Sequence, residues 1–232
     1  ARRIAEHIGL EWADPTTFEA SRLMYWPTHC SDVDPIFDSN DAAPATADDI
    51  LGTFHDWHNA AEWPQIPGVL PRIQRSMAKQ GDPTAKPGIV GAFCRTYDVP
   101  AAIAKFLPTI YASCNTADER YTYTGGSTAG GAVLYDAGKF LYSHHATDPC
   151  SGRLVNAFDL VRLHLFGAQD DDDVSPSTAV PKLPSYKAMC DLAMNDEAVK
   201  QTQAREEAAE LQAMQNACQS STPAGDDVMW RT

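Results

Sequence analysis

The chain has 232 residues, enough for one large or two small domains. Its 44% hydrophobic and 21% charged residues describe an ordinary globular protein, and no apolar run reaches the roughly 18 residues of a membrane span. A net charge of −13 weighs, on bulk numbers alone, against a nucleic-acid partner.

In chain order, ARRIAEHIGLEW reads as a helix with Ile4, Ile8 and Leu10 on its apolar side. The Asp-Pro step in ADPTTFEA breaks it. SRLMYWP reads as a short extended run ending at Pro27, and the polar stretch after it as an irregular connection. TADDILGTFHDWHNAAEW suits a helix capped by Thr46, with Asp48 and Asp49 at the positive end of its dipole. A further helix is expected from about Pro71 to Lys79. A helix pair then occupies residues 87–107, its second member capped by Asp98 with Pro100 in the first turn.

Residues 119–145 read as a small antiparallel β-meander. GGSTAGG lacks the G-K-[ST] of a phosphate loop and opens no helix, so it reads as a hairpin loop. Asn156 caps an apolar helix over 156–166, expected to stop at Gly167 in the C′ position. An acidic, proline-containing linker leads to a helical tail over 184–220, with a break near Asn195. The expected fold class is α+β: helical segments, the meander packed on the apolar helix, and the tail.

Charge is unevenly spread. Residues 1–63 hold 3 basic and 12 acidic side chains, residues 64–167 hold 10 and 7, and residues 168–232 hold 5 and 12. A mildly basic middle between acidic flanks leaves room for a phosphate-binding face. None of the 6 cysteines forms a C-x-x-C pair, and reduced thiols of a cytoplasmic protein are expected. No signal-peptide pattern opens the sequence. It starts at Ala1 and reads as a processed piece of a longer protein.

Several residue sets invite chemistry. Cys114, His144, His145 and Cys150 are an N/S set that zinc accepts, yet adjacent residues on a strand point to opposite faces, so the expected metal set is none. His55 and His58 would share one face of the helix expected there. No G-x-S-x-G and no reactive cysteine context appears. Asp14 followed by Arg22 suits a carboxylate–Mg²⁺ and arginine–phosphate arrangement, although Asp14 before Pro15 also reads as a turn residue.

EWADPTTFEASRLMYWPT, KPGIVGAFCRTYDVPAAIAKFLP, RYTYTGGSTAGGAVLYD and FLYSHHATDPCSGRLVNAFDLVRLHLFG, in that order, resemble phage and prophage DNA primase-helicases. Those proteins join an archaeo-eukaryotic-type primase-polymerase to a virulence-associated-protein-E-type ATPase. The resemblance spans roughly residues 1–190. It implies that Asp14 and Arg22 match the third catalytic motif of the primase, and that the other metal motifs and the ATPase P-loop lie outside this chain. The piece is then inactive alone; Mg²⁺ belongs to the complete primase, and the piece itself has no cofactor.

The same resemblance implies a division into residues 1–45 (the end of the primase core), 46–170 (an α+β primase-associated domain) and 171–232 (linker and tail). Residues 119–167 are similar in outline to a primase zinc ribbon without its ligands. Tyr121, Tyr123, Tyr135 and Tyr142 would stack bases there, and Lys139, His144, His145 and Arg153 would meet phosphates. The expected partners are single-stranded DNA or primer-template, the remaining primase and ATPase domains, and a second copy of the chain, in the cytoplasm of a bacterial host and away from membranes. The alternatives are a structural linker or oligomerisation module, and a small zinc-binding domain.

Overall fold

The structure is a computed structural model that describes residues 41–64, 69–114, 119–170 and 178–220, together with 3, 4, 6, 9, 31, 32, 34 and 175. Among the described residues it has seven α-helices and a five-stranded antiparallel sheet with strands in sequential order, an α+β architecture. The helices are α1 (Ala47–Leu51), α2 (Val69–Gln80), α3 (Gly88–Thr96), α4 (Val99–Phe106), α5 (Ala157–Phe166), α6 (Pro184–Asn195) and α7 (Glu197–Ser220). The strands are β1 (Tyr111–Ser113), β2 (Arg120–Tyr123), β3 (Ala132–Tyr135), β4 (Phe140–Ser143) and β5 (Leu154–Asn156). No described helix is long and apolar enough to cross a membrane. The chain divides into two units, residues 1–81, 108–135 and 142–154 in the first and residues 82–107, 136–141 and 155–232 in the second.

In the first unit, α1 opens on a capping box. The Thr46 hydroxyl accepts from the Asp49 amide and the Asp49 carboxylate accepts from the Thr46 amide. The helix is far shorter than the sequence suggests, because nearby carboxylates take the backbone amides instead. Glu62 Oε2 accepts from the amides of His55 and Asp56, and Asp56 Oδ1 from the amide of His58. The helical His55–His58 face expected from spacing therefore does not form. α2 buries Ile73 and ends at Gly81, whose φ of 66° is the left-handed cap of a helix. β1 pairs antiparallel with β2 (Tyr111 opposite Tyr123) and β2 with β3 (Tyr121 opposite Ala132).

The second unit is built around Phe93. Its ring meets Tyr97, Phe106 and Phe158 at centroid distances of 5.2, 5.6 and 5.8 Å, the last edge-on. Val99, Leu107, Leu160, Val161, Met189 and Val199 complete a fully enclosed core. The turn between α3 and α4 is set by Asp98, whose carboxylate accepts from the Ala101 amide, with Pro100 in the first turn. Gly91 is required on α3, since a Cβ there would stand 1.7 Å from the Lys86 carbonyl oxygen. Burial pushes the Cys94 thiol up to about 11, the behaviour of an inert packed thiol. Among the described residues, cysteines 94, 114, 150 and 190 form no disulfide.

Two polar clusters fasten the helices of this unit. Arg162 on α5, only 6% exposed, donates to Asp159 and to the Ser185 hydroxyl. Asp170 accepts from both the amide and the hydroxyl of Ser185, so a distant carboxylate caps α6 in place of a local side chain. At the break between α6 and α7, Asp196 accepts from the Tyr97 hydroxyl, the Lys105 ammonium and the amides of Ala198 and Val199. Gly167 adopts right-handed helical angles and continues into a 3-10 turn, rather than the left-handed stop that its position after α5 suggests.

Candidate nucleic-acid interface

The stretch SHHATDPCSG closes into a turn organised by one carboxylate. Asp148, 4% exposed, accepts from the Tyr111 hydroxyl at 2.7 Å and from the Cys150 amide at 2.8 Å. Its own backbone oxygen accepts from the Ser151 amide, and Gly152, at φ 66°, donates to the Ser143 carbonyl. Burial drives the Tyr111 hydroxyl far above the usual phenol range, so Tyr111 stays a donor to Asp148. Cys114, His144, His145 and Cys150 do not converge: no three of them place ligand atoms within 4.8 Å of one another.

His144 and His145 have different surroundings. His145, 2% exposed, lies under the glycine-rich loop between β2 and β3. Its Nε2 accepts from the Tyr123 amide at 3.3 Å, and its Nδ1 lies 3.0 Å from the Thr128 hydroxyl. Burial lowers its proton affinity, and the Asp148 carboxylate opposes that without overcoming it. A Cβ at Gly131 would sit 2.8 Å from the imidazole and one at Gly126 would sit 3.0 Å from Nδ1. The glycines are therefore the space that His145 fills. On its other side the loop is bonded to the chain before α2: Ala129 donates to the His58 carbonyl at 2.7 Å and Ala60 to the Ala129 carbonyl at 2.8 Å.

His144 is half-buried and its ring meets Tyr142 edge-on at 4.8 Å. Tyr142 borders one cavity of the first unit and His144 borders another. One, of about 280 Å³, is lined by Arg72 and Ser76 of α2, Tyr142, Gly152 and Arg153. Arg72 and Arg153 are exposed, and neither side chain is bonded to a carboxylate among the described residues. The other, of about 440 Å³, is lined by Trp63, the glycine-rich loop, His144 and Thr147. Trp63 is held there by its indole N–H, which donates to the Trp57 carbonyl at 2.9 Å.

Of the residues singled out from sequence, His144, His145, Arg153, Tyr121 and Tyr123 lie in the first unit and Lys139 in the second. Tyr123 packs between Tyr111 and His145, at 5.8 and 6.1 Å, and Tyr121 is half-buried on β2. Lys139 is paired with Asp82 at 2.8 Å and with Asp136 at 3.5 Å. The hydrogen bond to Asp82 leads in raising the Lys139 ammonium above its ordinary value, and the same bond leads in holding Asp82 down at about 2. Asp14 and Arg22 lie outside the described residues. Sequence reasoning passed over Arg72, Trp63 and Asp148. Arg72 and Trp63 carried no local signal beyond residue type, whereas Asp148 stood before a proline in a turn-rich stretch.

Residues 1–66 match the family model of the VapE N-terminal domain. That similarity supports a VapE-like protein of the phage or prophage kind. No curated protein and no solved structure matches the chain.

Proposed function

We propose that the chain is part of a phage-type DNA primase-helicase and that its first unit holds single-stranded DNA. The observation that carries this is the convergence of Arg72 and Arg153 beside Tyr142 on one cavity, with no carboxylate bonded to either guanidinium among the described residues. Exposed guanidinium groups bind phosphate oxygens in forked geometry, and an aromatic ring beside them supplies a stacking surface for a base. His144 adds a second ring next to Tyr142. His145 supports the interface from below, holding the loop rather than touching the strand.

The catalytic work belongs to the complete protein in the bacterial cytoplasm. Asp14 and Arg22 are this chain's contribution to its Mg²⁺-dependent centre, and the helical tail connects toward the ATPase. This chain alone binds but does not polymerise.

The test is fluorescence anisotropy with a labelled single-stranded oligonucleotide at several salt concentrations. Affinity is expected to fall with salt with a log–log slope of about −0.7 for each phosphate contact. Arg72→Ala with Arg153→Ala should flatten that slope by one to two contacts' worth. A wild-type protein that binds no strand at low salt, or binds with a flat salt profile, ends the proposal.

A second reading, assembly of copies through the tail, has its own observation. Leu211 and Met214 on α7 are 61% and 67% exposed and lie one helical turn apart. Sedimentation of the wild type against Leu211→Glu separates it: a dimer that the substitution abolishes would favour this reading.

A further inference from the structure

We infer that the larger cavity, beside Trp63 and His144, is a pocket for one unstacked nucleobase of a strand whose phosphates lie on Arg72 and Arg153. This deepens the proposed function and rests on it.

The lining chemistry selects the ligand. Among the described residues, no carboxylate, lysine or arginine lines this cavity, and the titratable groups there are the two histidines, of which His145 is buried. A phosphate has no fixed cation to meet there, so the occupant is an uncharged, hydrogen-bonding ring. Trp63 offers a broad aromatic wall, Ser127 offers a hydroxyl that can donate or accept, and Thr147 offers a hydroxyl oxygen that can accept. A cavity of about 440 Å³ lies within the roughly 300–1,000 Å³ range of small-molecule sites.

The pocket is also built in advance. His145 fixes the glycine-rich loop from inside through Thr128 and Tyr123. The segment at 58–60 fixes it from outside, and the Thr147 hydroxyl donates to the Gly125 carbonyl at 3.2 Å. A loop held at this many points gives the ring a preformed slot and limits the ordering cost of binding.

The basic cavity lies close by through the Tyr142–His144 ring contact. Tyr142 lines the basic cavity, His144 lines the neutral one, and their rings are 4.8 Å apart. The two cavities therefore flank one thin aromatic partition, so a backbone lying on the arginines can turn a base over that edge and into the slot.

The experiment compares two strands of equal length on the full chain, one with ordinary bases and one with base-free sugars throughout. The wild type is expected to bind the base-bearing strand roughly 5- to 150-fold more tightly, the range of a single base–aromatic stack. Trp63→Leu should remove most of that preference and leave affinity for the base-free strand unchanged. Ser127→Val, a substitution on the exposed loop surface that spares the fold, should cut the preference roughly 2- to 10-fold, the loss of one hydrogen bond. Wild-type affinities that are equal for the two strands overturn the base pocket while leaving the arginine–phosphate reading intact. Variants that lower both affinities equally, or lower neither, overturn the pocket in the same way. Binding of neither strand by the wild type overturns the proposed function and the pocket with it.

Discussion

Gly131 has no room for a side chain because the imidazole of His145 occupies the space. A Cβ at position 131 would stand 2.8 Å from Cε1 and Nε2 of that ring. The contact spans the loop between β2 and β3 and the chain just past β4, and it gives the glycine-rich run a packing role.

Gly131→Ala is expected to destabilise the protein by about 1–3 kcal/mol, the cost of forcing an atom into a filled site. In a His145→Ala background the same change should cost less than half as much, because the obstructing ring is gone. Urea denaturation of the four proteins of this cycle checks it, and strictly additive costs would show that ring and glycine do not oppose each other.

His145 also makes stability depend on pH. Its proton affinity is lowered in the folded state, chiefly by burial, from an ordinary value of 6.5. Below that value the unfolded chain binds a proton that the folded chain resists. Stability is therefore full above about pH 6.5 and declines as the pH falls toward the lowered folded value. His145→Gln should be less stable at pH 8 but should lose less on acidification from pH 7 to pH 5. Thermal melts across that range measure the difference between the two proteins, and parallel curves would contradict it.

Asp196 joins the start of α7 to Tyr97 and Lys105. Burial pushes this carboxyl up, but the hydrogen bonds from Lys105, Tyr97 and the Val199 amide together hold it below its ordinary 3.8. Asp196→Ala should cost about 1–3 kcal/mol through the lost cap and the lost tyrosine and lysine partners. The stabilisation from Asp196 is present above pH 3.8 and disappears as the pH drops through the lowered folded value. Acid titration followed by circular dichroism is the check, and the variant should lack that last increment.

Arg162 sits among Asp159, Asp170 and Ser185 with 6% of its surface exposed. Arg162→Ala strands those acceptors and should cost about 3–5 kcal/mol. Arg162→Met combined with Asp170→Asn should recover a large part of that loss, since an apolar chain fills the space and a neutral amide keeps a cap on Ser185. Chemical denaturation of the three proteins decides. No recovery in the double variant would mean that the charges themselves are needed.

Lys139 and Arg153 should differ as DNA contacts. The Lys139 ammonium is occupied by Asp82 and Asp136, whereas the Arg153 guanidinium faces an open cavity. Arg153→Ala is expected to weaken strand binding several-fold at low salt and to reduce the salt slope by about one phosphate contact. Lys139→Ala should leave both nearly unchanged. An equal loss for the two would mean that the Lys139 pairings open when DNA arrives.

Local rules made much of the fold legible. Thr46, Asp98 and Asn156 mark helix starts because their side chains cap the nearest free amides, and they do so here. The pair α3–α4 and the strands of the meander follow from periodicity and turn residues. The helix expected over 46–63 failed because Asp56 and Glu62 compete for the backbone, a contest that apolar spacing does not reveal. Asp170 stood at the head of a run of four aspartates that reads as solvated linker, yet it is the cap of α6. At the site, residue type pointed to Arg153 and Tyr142. The arrival of Arg72 beside them depends on how α2 lies against residues 152–154, which no short-range pattern encodes.

Arg95 grips Glu206 with two hydrogen bonds and also donates to the carbonyls of Thr84 and Lys86, so two distant stretches of the second unit close around one guanidinium. The partners Arg95 and Glu206 are 111 residues apart in the chain. On a ribosome adding about 5–20 residues per second, Arg95 emerges roughly 6–22 seconds before the carboxylate that completes its shell. Through that interval α7 cannot close over α3, and a nascent chain in this state is the form a chaperone would meet.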